Sequence, residues 1–200
     1  TGDRTTAAIF GQFNNMINPA QTTSMTFGSI TSEHFYAIVF NRARMRERLE
    51  AGGWELHLGS GSFGAGTSTG HVIKLIDDST TSGGTKNTRS ALASPEYNVV
   101  SGSIAGGVHT AASDMGSTTG SYGSFYPKLG IILLNPAAIS GLEVNPVGSV
   151  GSSILGIPTV SGSNTDNRND LTLFKSIKSG SYFQAKREED ITSRHYFVRA

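Results

Sequence analysis

The chain has 200 residues, a formal charge of +1, 16% charged side chains, 25 glycines and no cysteine. Near-neutral charge disfavours a nucleic-acid partner, which needs a basic surface to displace counterions, and the missing cysteines exclude disulfides, thiolate metal sites and cysteine nucleophiles. No apolar run approaches the ~18 residues of a membrane-spanning helix, so no membrane partner is expected. Ser, Thr and Gly fill the charge deficit, between compact aromatic and β-branched runs. That pattern predicts a mainly β (β-rich α+β) chain with an antiparallel sheet core, long Ser/Thr/Gly-rich loops and one or two short helices.

Residues 1–34 show no sustained period, and Asn18-Pro19 marks a turn. This part reads as an N-terminal arm or extended connection, ahead of a β-rich structural domain over 35–200. Thr1 without a Met suggests processing or a fragment of a longer chain. Phe35–Phe40 predicts a buried strand. Asn41 is placed to cap a helix over Arg42–Glu50, ended by Gly52-Gly53, with Arg46–Glu50 attractive and Arg44–Arg48 repulsive at i, i+4. Trp54–Leu58 alternates apolar and polar residues as a half-buried strand does. A glycine- and serine-rich loop over Gly59–Gly70 leads to a strand at Val72–Ile76, then to a polar, mobile loop at Asp77–Arg89. Tyr97–Ile104 predicts a strand and Ala105–Ser124 a second long loop. Leu129–Leu134, the most apolar run, predicts a central strand, after which Asn135-Pro136 starts a helical turn. Strand signals over 141–167 are weak. A short helix at Asp170–Lys178, ended by Gly180, precedes strands at Tyr182–Arg187 and His195–Arg199, joined by the acidic residues Glu188, Glu189 and Asp190.

The motifs of catalysis are not encoded at usable spacing. Gly59-Ser60-Gly61-Ser62-Phe63-Gly64 matches a dinucleotide fingerprint, but Thr67-Ser68-Thr69-Gly70 follows and no helix presents amides to a phosphate. The five histidines, His34, His57, His71, His109 and His195, form no H-x-x-x-H pair. His57 and His71 lie on successive predicted strands, close enough to meet, yet a catalytic zinc needs a third ligand. Asp77 and Asp78, adjacent on a strand end, point to opposite faces and read as solvated turn residues. No catalytic, cofactor-binding or metal-ligating residue is assigned, and neither enzyme activity nor a cofactor is expected. Arg42, Arg44, Arg46 and Arg48 are the only concentration of charge; with Glu47, Glu50 and Glu55 nearby they point to ion pairs rather than phosphate contacts. Arg42, Arg44 and Arg46, with the aromatic anchors Trp54, Phe125 and Tyr126, are the candidate interface residues. Trp54, on an alternating strand, reads as core before interface.

Three strings carry a resemblance. Phe35-Tyr36-Ala37-Ile38-Val39-Phe40-Asn41-Arg42-Ala43-Arg44 leads to Gly53-Trp54-Glu55-Leu56-His57-Leu58; the second is Tyr126-Pro127-Lys128-Leu129-Gly130-Ile131-Ile132-Leu133-Leu134-Asn135; the third joins Phe183-Gln184-Ala185-Lys186-Arg187-Glu188-Glu189 to His195-Tyr196-Phe197-Val198-Arg199. Together they resemble virion structural proteins of contractile-tailed bacteriophages, associated with the tail or baseplate. The resemblance implies a non-enzymatic component located in the virion, whose partners are copies of itself and other virion proteins. The alternative from a different class is a receptor- or glycan-binding tail module. Segments 1–34, 59–70, 77–90, 105–124 and 141–167 carry few apolar residues to offset an ordering cost of about 1–2 kcal/mol per residue, so assembly is expected to order them. Phe35–Phe40, Trp54–Leu58 and Leu129–Leu134 are expected to be strands of one core; any two of them exposed or helical would defeat this architecture.

Overall fold

The apolar runs do come together, in a single antiparallel sheet. The structure, a computed structural model, describes residues 2–17, 25–28, 30–32, 35–60, 71–80, 95–108, 122–140 and 168–191. Its strands are β1 (Met25–Phe27), β2 (Ile30–Ser32), β3 (Tyr36–Val39), β4 (Arg48–Ser60), β5 (His71–Asp77), β6 (Tyr97–Ser103), β7 (Gly107–Val108), β8 (Gly123–Tyr126), β9 (Ile131–Leu134) and β10 (Phe183–Glu188). Its helices are α1 (Gly2–Ile17), α2 (Arg42–Met45), α3 (Pro136–Ser140) and α4 (Arg168–Gly180). β1 and β2 form a hairpin; the main sheet has the order β10-β4-β5-β6-β8-β9-β3, with β7 added on β6. The fold is mainly β.

Alternation sorts the side chains into an inner and an outer layer. Trp54, Leu56 and Leu58 of β4, Phe125 of β8, and Ile132 and Leu134 of β9 share the inner core with Tyr36 of β3. All three expected strands therefore contribute to one core. On the opposite face, Ile131 and Leu133 of β9 and Tyr126 of β8 pack with Ile17 of α1 and Met25 and Phe27 of β1. Strand β9 is buried on both faces, which is why its sequence is a continuous apolar run instead of an alternating one.

The sheet curls until its two edge strands meet. The ring of Phe40, which follows β3, lies 5.8 Å from that of Phe183 in β10. Strand β4 is strongly irregular where it passes β10: Ala185 pairs with Trp54, but Arg187 pairs with Leu49, so Glu50–Gly53 bulge opposite Lys186 alone. Gly52, at φ +80, supplies the left-handed backbone that this bulge requires.

Several expectations change. The described residues hold four helices where one or two short ones were expected, and two of them are long, with 16 residues in α1 and 13 in α4. The spacing of Ile9, Phe13 and Ile17 is helical, though Thr5-Thr6 and Gly11 dilute it. Residues 1–34 consequently add core-forming groups: Phe13 packs edge-on against Phe35 at 6.2 Å, and Ile17, Met25 and Phe27 are buried. The helix over Arg42–Glu50 stops at Met45. Asn41 does cap it, accepting the Ala43 N–H at 2.9 Å, but Arg46 turns left-handed at φ 61 and β4 begins at Arg48. Burial of Leu49, whose N–H donates to the Pro127 carbonyl, outweighs the helical pattern there. β7 and β8 begin inside the stretch read as the loop Ala105–Ser124. The strand expected at His195–Arg199, and most of 59–70, 77–90, 105–124 and 141–167, lie outside the described residues.

Helix α4 packs on β4 at a backbone-to-backbone contact, where a Cβ on Gly180 would collide with the His57 carbonyl oxygen. Gly180→Ala is expected to destabilise the fold by about 1–3 kcal/mol in urea unfolding. Gly11→Ala, in open space on α1, is expected to stabilise it by about 0.5–1 kcal/mol. Equal effects at the two positions would refute this packing.

Candidate functional site

Strand pairing assembles a polar row on the outer face. Trp54, Leu56 and Leu58 of β4 turn inward, so Glu55 and His57 turn outward. The β4–β5 register sets Lys74 opposite His57, and the β4–β10 register sets Gln184 opposite Glu55. The His57 N–H donates to the Tyr182 carbonyl at 2.9 Å, which brings the two rings within 4.7 Å at 31°. Glu55 is 7% exposed and uses both oxygens: Oε1 lies 2.6 Å from His57 Nε2, and Oε2 accepts the Ile104 N–H at 2.8 Å. Burial raises the Glu55 pKa, but the Ile104 amide, His57 and the charge of Lys74 more than compensate and hold it below the usual carboxylate range. The carboxylate thus fastens the β6–β7 turn to the outer face of β4 and orients the imidazole. Tyr182 closes the row, its hydroxyl donating to Gln184 Oε1 at 2.7 Å.

A second constellation sits where β5 ends. Asp77 accepts the Gly52 N–H with both oxygens, at 3.0 and 2.9 Å, and the Ser79 N–H with Oδ1 at 3.0 Å. Asp78 accepts the backbone N–H and the side-chain amide of Asn98, at 3.0 and 2.9 Å. Both are buried, so the reading as solvated turn residues is corrected: their short side chains saturate backbone donors that the bulge and strand end leave without a ladder partner. Desolvation pushes the Asp77 pKa above its ordinary value despite these donors.

The third constellation lies along the meeting edges. Arg46 pairs with Glu189 at 2.9 Å, Arg48 with Glu188 at 2.9 Å and Asp190 at 2.7 Å, and Glu47 accepts the Asp190 N–H at 2.8 Å. Arg187 Nη1 donates to the Arg44 carbonyl at 3.4 Å, and Arg42 Nη1 to the Lys128 carbonyl at 2.9 Å. Arg46 and Arg48 do make ion pairs, but the acids come from the distant stretch 188–190 rather than from Glu50 and Glu55.

The expected interface residues divide into two groups. Arg42, Arg44 and Arg46 are exposed; the Arg44 carbonyl and the Arg46 side chain meet Arg187 and Glu189 at the end of β10, while Arg42 reaches Lys128. Trp54, Phe125 and Tyr126 are fully buried within this chain: Trp54 and Phe125 are ring neighbours at 5.6 Å, and the Tyr126 hydroxyl donates to Glu96 at 2.8 Å. His71 pairs in register with Ser60, three positions from His57, so the two histidines are not opposite each other. Among the described residues no group of His, Asp and Glu is arranged to hold a metal, and no helix is long and apolar enough to cross a membrane. The Glu55–His57–Tyr182 row was missed in sequence because its partners lie on strands more than 120 residues apart; only the alternation of Trp54–Leu58 hinted at it. Comparison with protein-family models, with curated proteins and with solved structures gave no match.

Glu55→Ala is expected to cost about 1–3 kcal/mol and to accelerate hydrogen exchange at the Ile104 amide, leaving the Gly130 amide unchanged. Because the Glu55 pKa is lowered on folding, its contribution is full above the ordinary carboxylate range and is lost as pH falls through the folded value. Asp77 has the opposite sign. Its pKa is raised, so its stabilising contribution is present below the ordinary value of 3.8 and lost as pH rises through the folded value. Asp77→Asn keeps an oxygen for Gly52 and Ser79 without the buried charge. Urea unfolding at acid and neutral pH should show wild type losing ground to the variant as pH rises; the reverse trend would refute the assignment.

Proposed function

We propose that the chain is a non-enzymatic structural component of a bacteriophage virion, in the tail or baseplate, acting through contacts with copies of itself and with neighbouring virion proteins. The resemblance of the three strings supports this reading, and so does the use made of the charged groups. Glu55, Asp77 and Asp78 hold backbone amides, while Arg46 and Arg48 hold the acidic stretch after β10. These are the tasks of a rigid building block.

The observation that carries the proposal is the placement of exposed apolar side chains around the meeting edges. Val39 at the end of β3 is 58% exposed, Phe183 on β10 is 41% exposed, and Ile191 just beyond it is 93% exposed. Phe174 on α4 adds another exposed ring. Large apolar groups exposed around the seam favour association, because a partner removes them from water at about 25 cal/mol per Å². Arg42 and Arg44, exposed beside them, supply a polar rim.

Sedimentation of the purified chain should show association that strengthens with concentration. Ile191→Asp combined with Val39→Lys is expected to weaken it by at least about tenfold, with the thermal melt unchanged. A monomer at every concentration, together with absence of the chain from the mass inventory of any intact tailed particle, would overturn the proposal.

A further inference from the structure

We propose that the outer-face row Tyr182–His57–Lys74, with Gln184 beside it, binds an acidic glycan: one pyranose lies against Tyr182 and a carboxylate-bearing neighbour reaches Lys74. This goes beyond the assembly reading and does not depend on it.

Tyr182 is the first part of the argument. One face of its ring is backed by His57 at 4.7 Å, and its hydroxyl is tied to Gln184, yet the residue remains 40% exposed. The part of Tyr182 that reaches solvent therefore belongs to a side chain whose ring is already fixed in orientation. A pre-oriented aromatic plane offers the apolar C–H face of a sugar a stacking partner at little cost in conformational entropy.

Charge selects the kind of sugar. Gln184 has given its oxygen to Tyr182, which leaves its amide N–H groups as donors. Lys74 projects its ammonium from the exposed position opposite His57. The carboxylate between them, Glu55, is buried and hydrogen-bonded by His57 and the Ile104 amide; Lys74 lies close enough to help keep it ionised and is itself exposed to solvent. A stacking plane beside donors, with the neighbouring carboxylate buried, suits an anionic hydroxylated ligand.

Spacing sets the minimum length. Tyr182 and Lys74 stand on either side of β4, so their backbones are about 10 Å apart, twice the strand separation. That distance exceeds one pyranose and suits two linked ones, with His57 as the floor between them.

The test is calorimetric titration of the full chain with hyaluronan hexasaccharide, with an alginate hexamer, and with fully N-acetylated, hence neutral, chitohexaose as control. Binding of at least one acidic probe, no heat from chitohexaose, and at least about tenfold loss in both Tyr182→Ala and Lys74→Gln is the expected result. Tyr182→Phe keeps the ring and should retain binding to within about threefold. Phe174→Ala, on exposed α4, should leave affinity unchanged. Circular dichroism melts confirm that each variant is folded. The proposal is overturned if neither acidic probe binds the wild-type chain, if chitohexaose binds as well, if polyglutamate competes equally, or if affinity survives both Tyr182→Ala and Lys74→Gln. Because self-association is read separately by sedimentation, a failure here leaves the assembly proposal standing.

Discussion

A sheet that curls until its edges meet has to join them, and here no backbone ladder runs between β3 and β10. Side chains do the joining. Phe40 and Phe183 close the seam with an aromatic contact, and Arg187 reaches the Arg44 carbonyl. Arg46 and Arg48 gather Glu188, Glu189 and Asp190. An open sheet would leave the inner faces of Tyr36, Trp54 and Ile132 in water; the closed one buries them together. Each exposed ion pair contributes little, since solvent screens it and two long side chains must be ordered. The network gains from sharing: one guanidinium, Arg48, serves two carboxylates, which raise its pKa further.

Once the seam is closed, the bulge of β4 becomes necessary. Arg48 and Leu49 must face the end of β10 while Trp54 keeps its register with Ala185. Four residues of slack result, and a strand with that much slack would lose its ladder bonds without another acceptor. Asp77 supplies it from the neighbouring strand, through the Gly52 amide. A Cβ at Gly52 would approach the Thr80 side chain within 2.6 Å, so the residue is fixed by space as well as by its φ.

Strands buried on one or both faces were legible in the sequence because burial writes itself into hydropathy: Phe35–Phe40 and Leu129–Leu134 each contain an observed strand, and Trp54–Leu58 and Val72–Ile76 each lie within one. Asn41 and Pro136 also announced their helices through local chemistry. What stayed hidden was whatever depends on distant partners. Gly123 and Ser124 looked like the tail of a loop because they are poor strand formers; glycine is required at the first of them because a Cβ there would strike the Leu133 carbonyl. Arg48 looked helical by spacing and became a strand residue through acids 140 and 142 positions away. The polar row was the least visible, since His57 and Tyr182 meet only after the whole sheet is in place.

That separation has a kinetic meaning. Arg46 meets Glu189 across 143 residues of chain, and Arg48 meets Asp190 across 142. Contacts between such remote positions form late, because the entropy of closing so long a loop is lost before any bond rewards it. β10 is also the last described strand to leave the ribosome, yet it covers β4, one of the earliest. Until it arrives, the outer edge of β4 has unpaired amides and carbonyls, an invitation to pairing with another chain. The slow arrival of one strand is therefore the stage at which correct folding and premature aggregation compete.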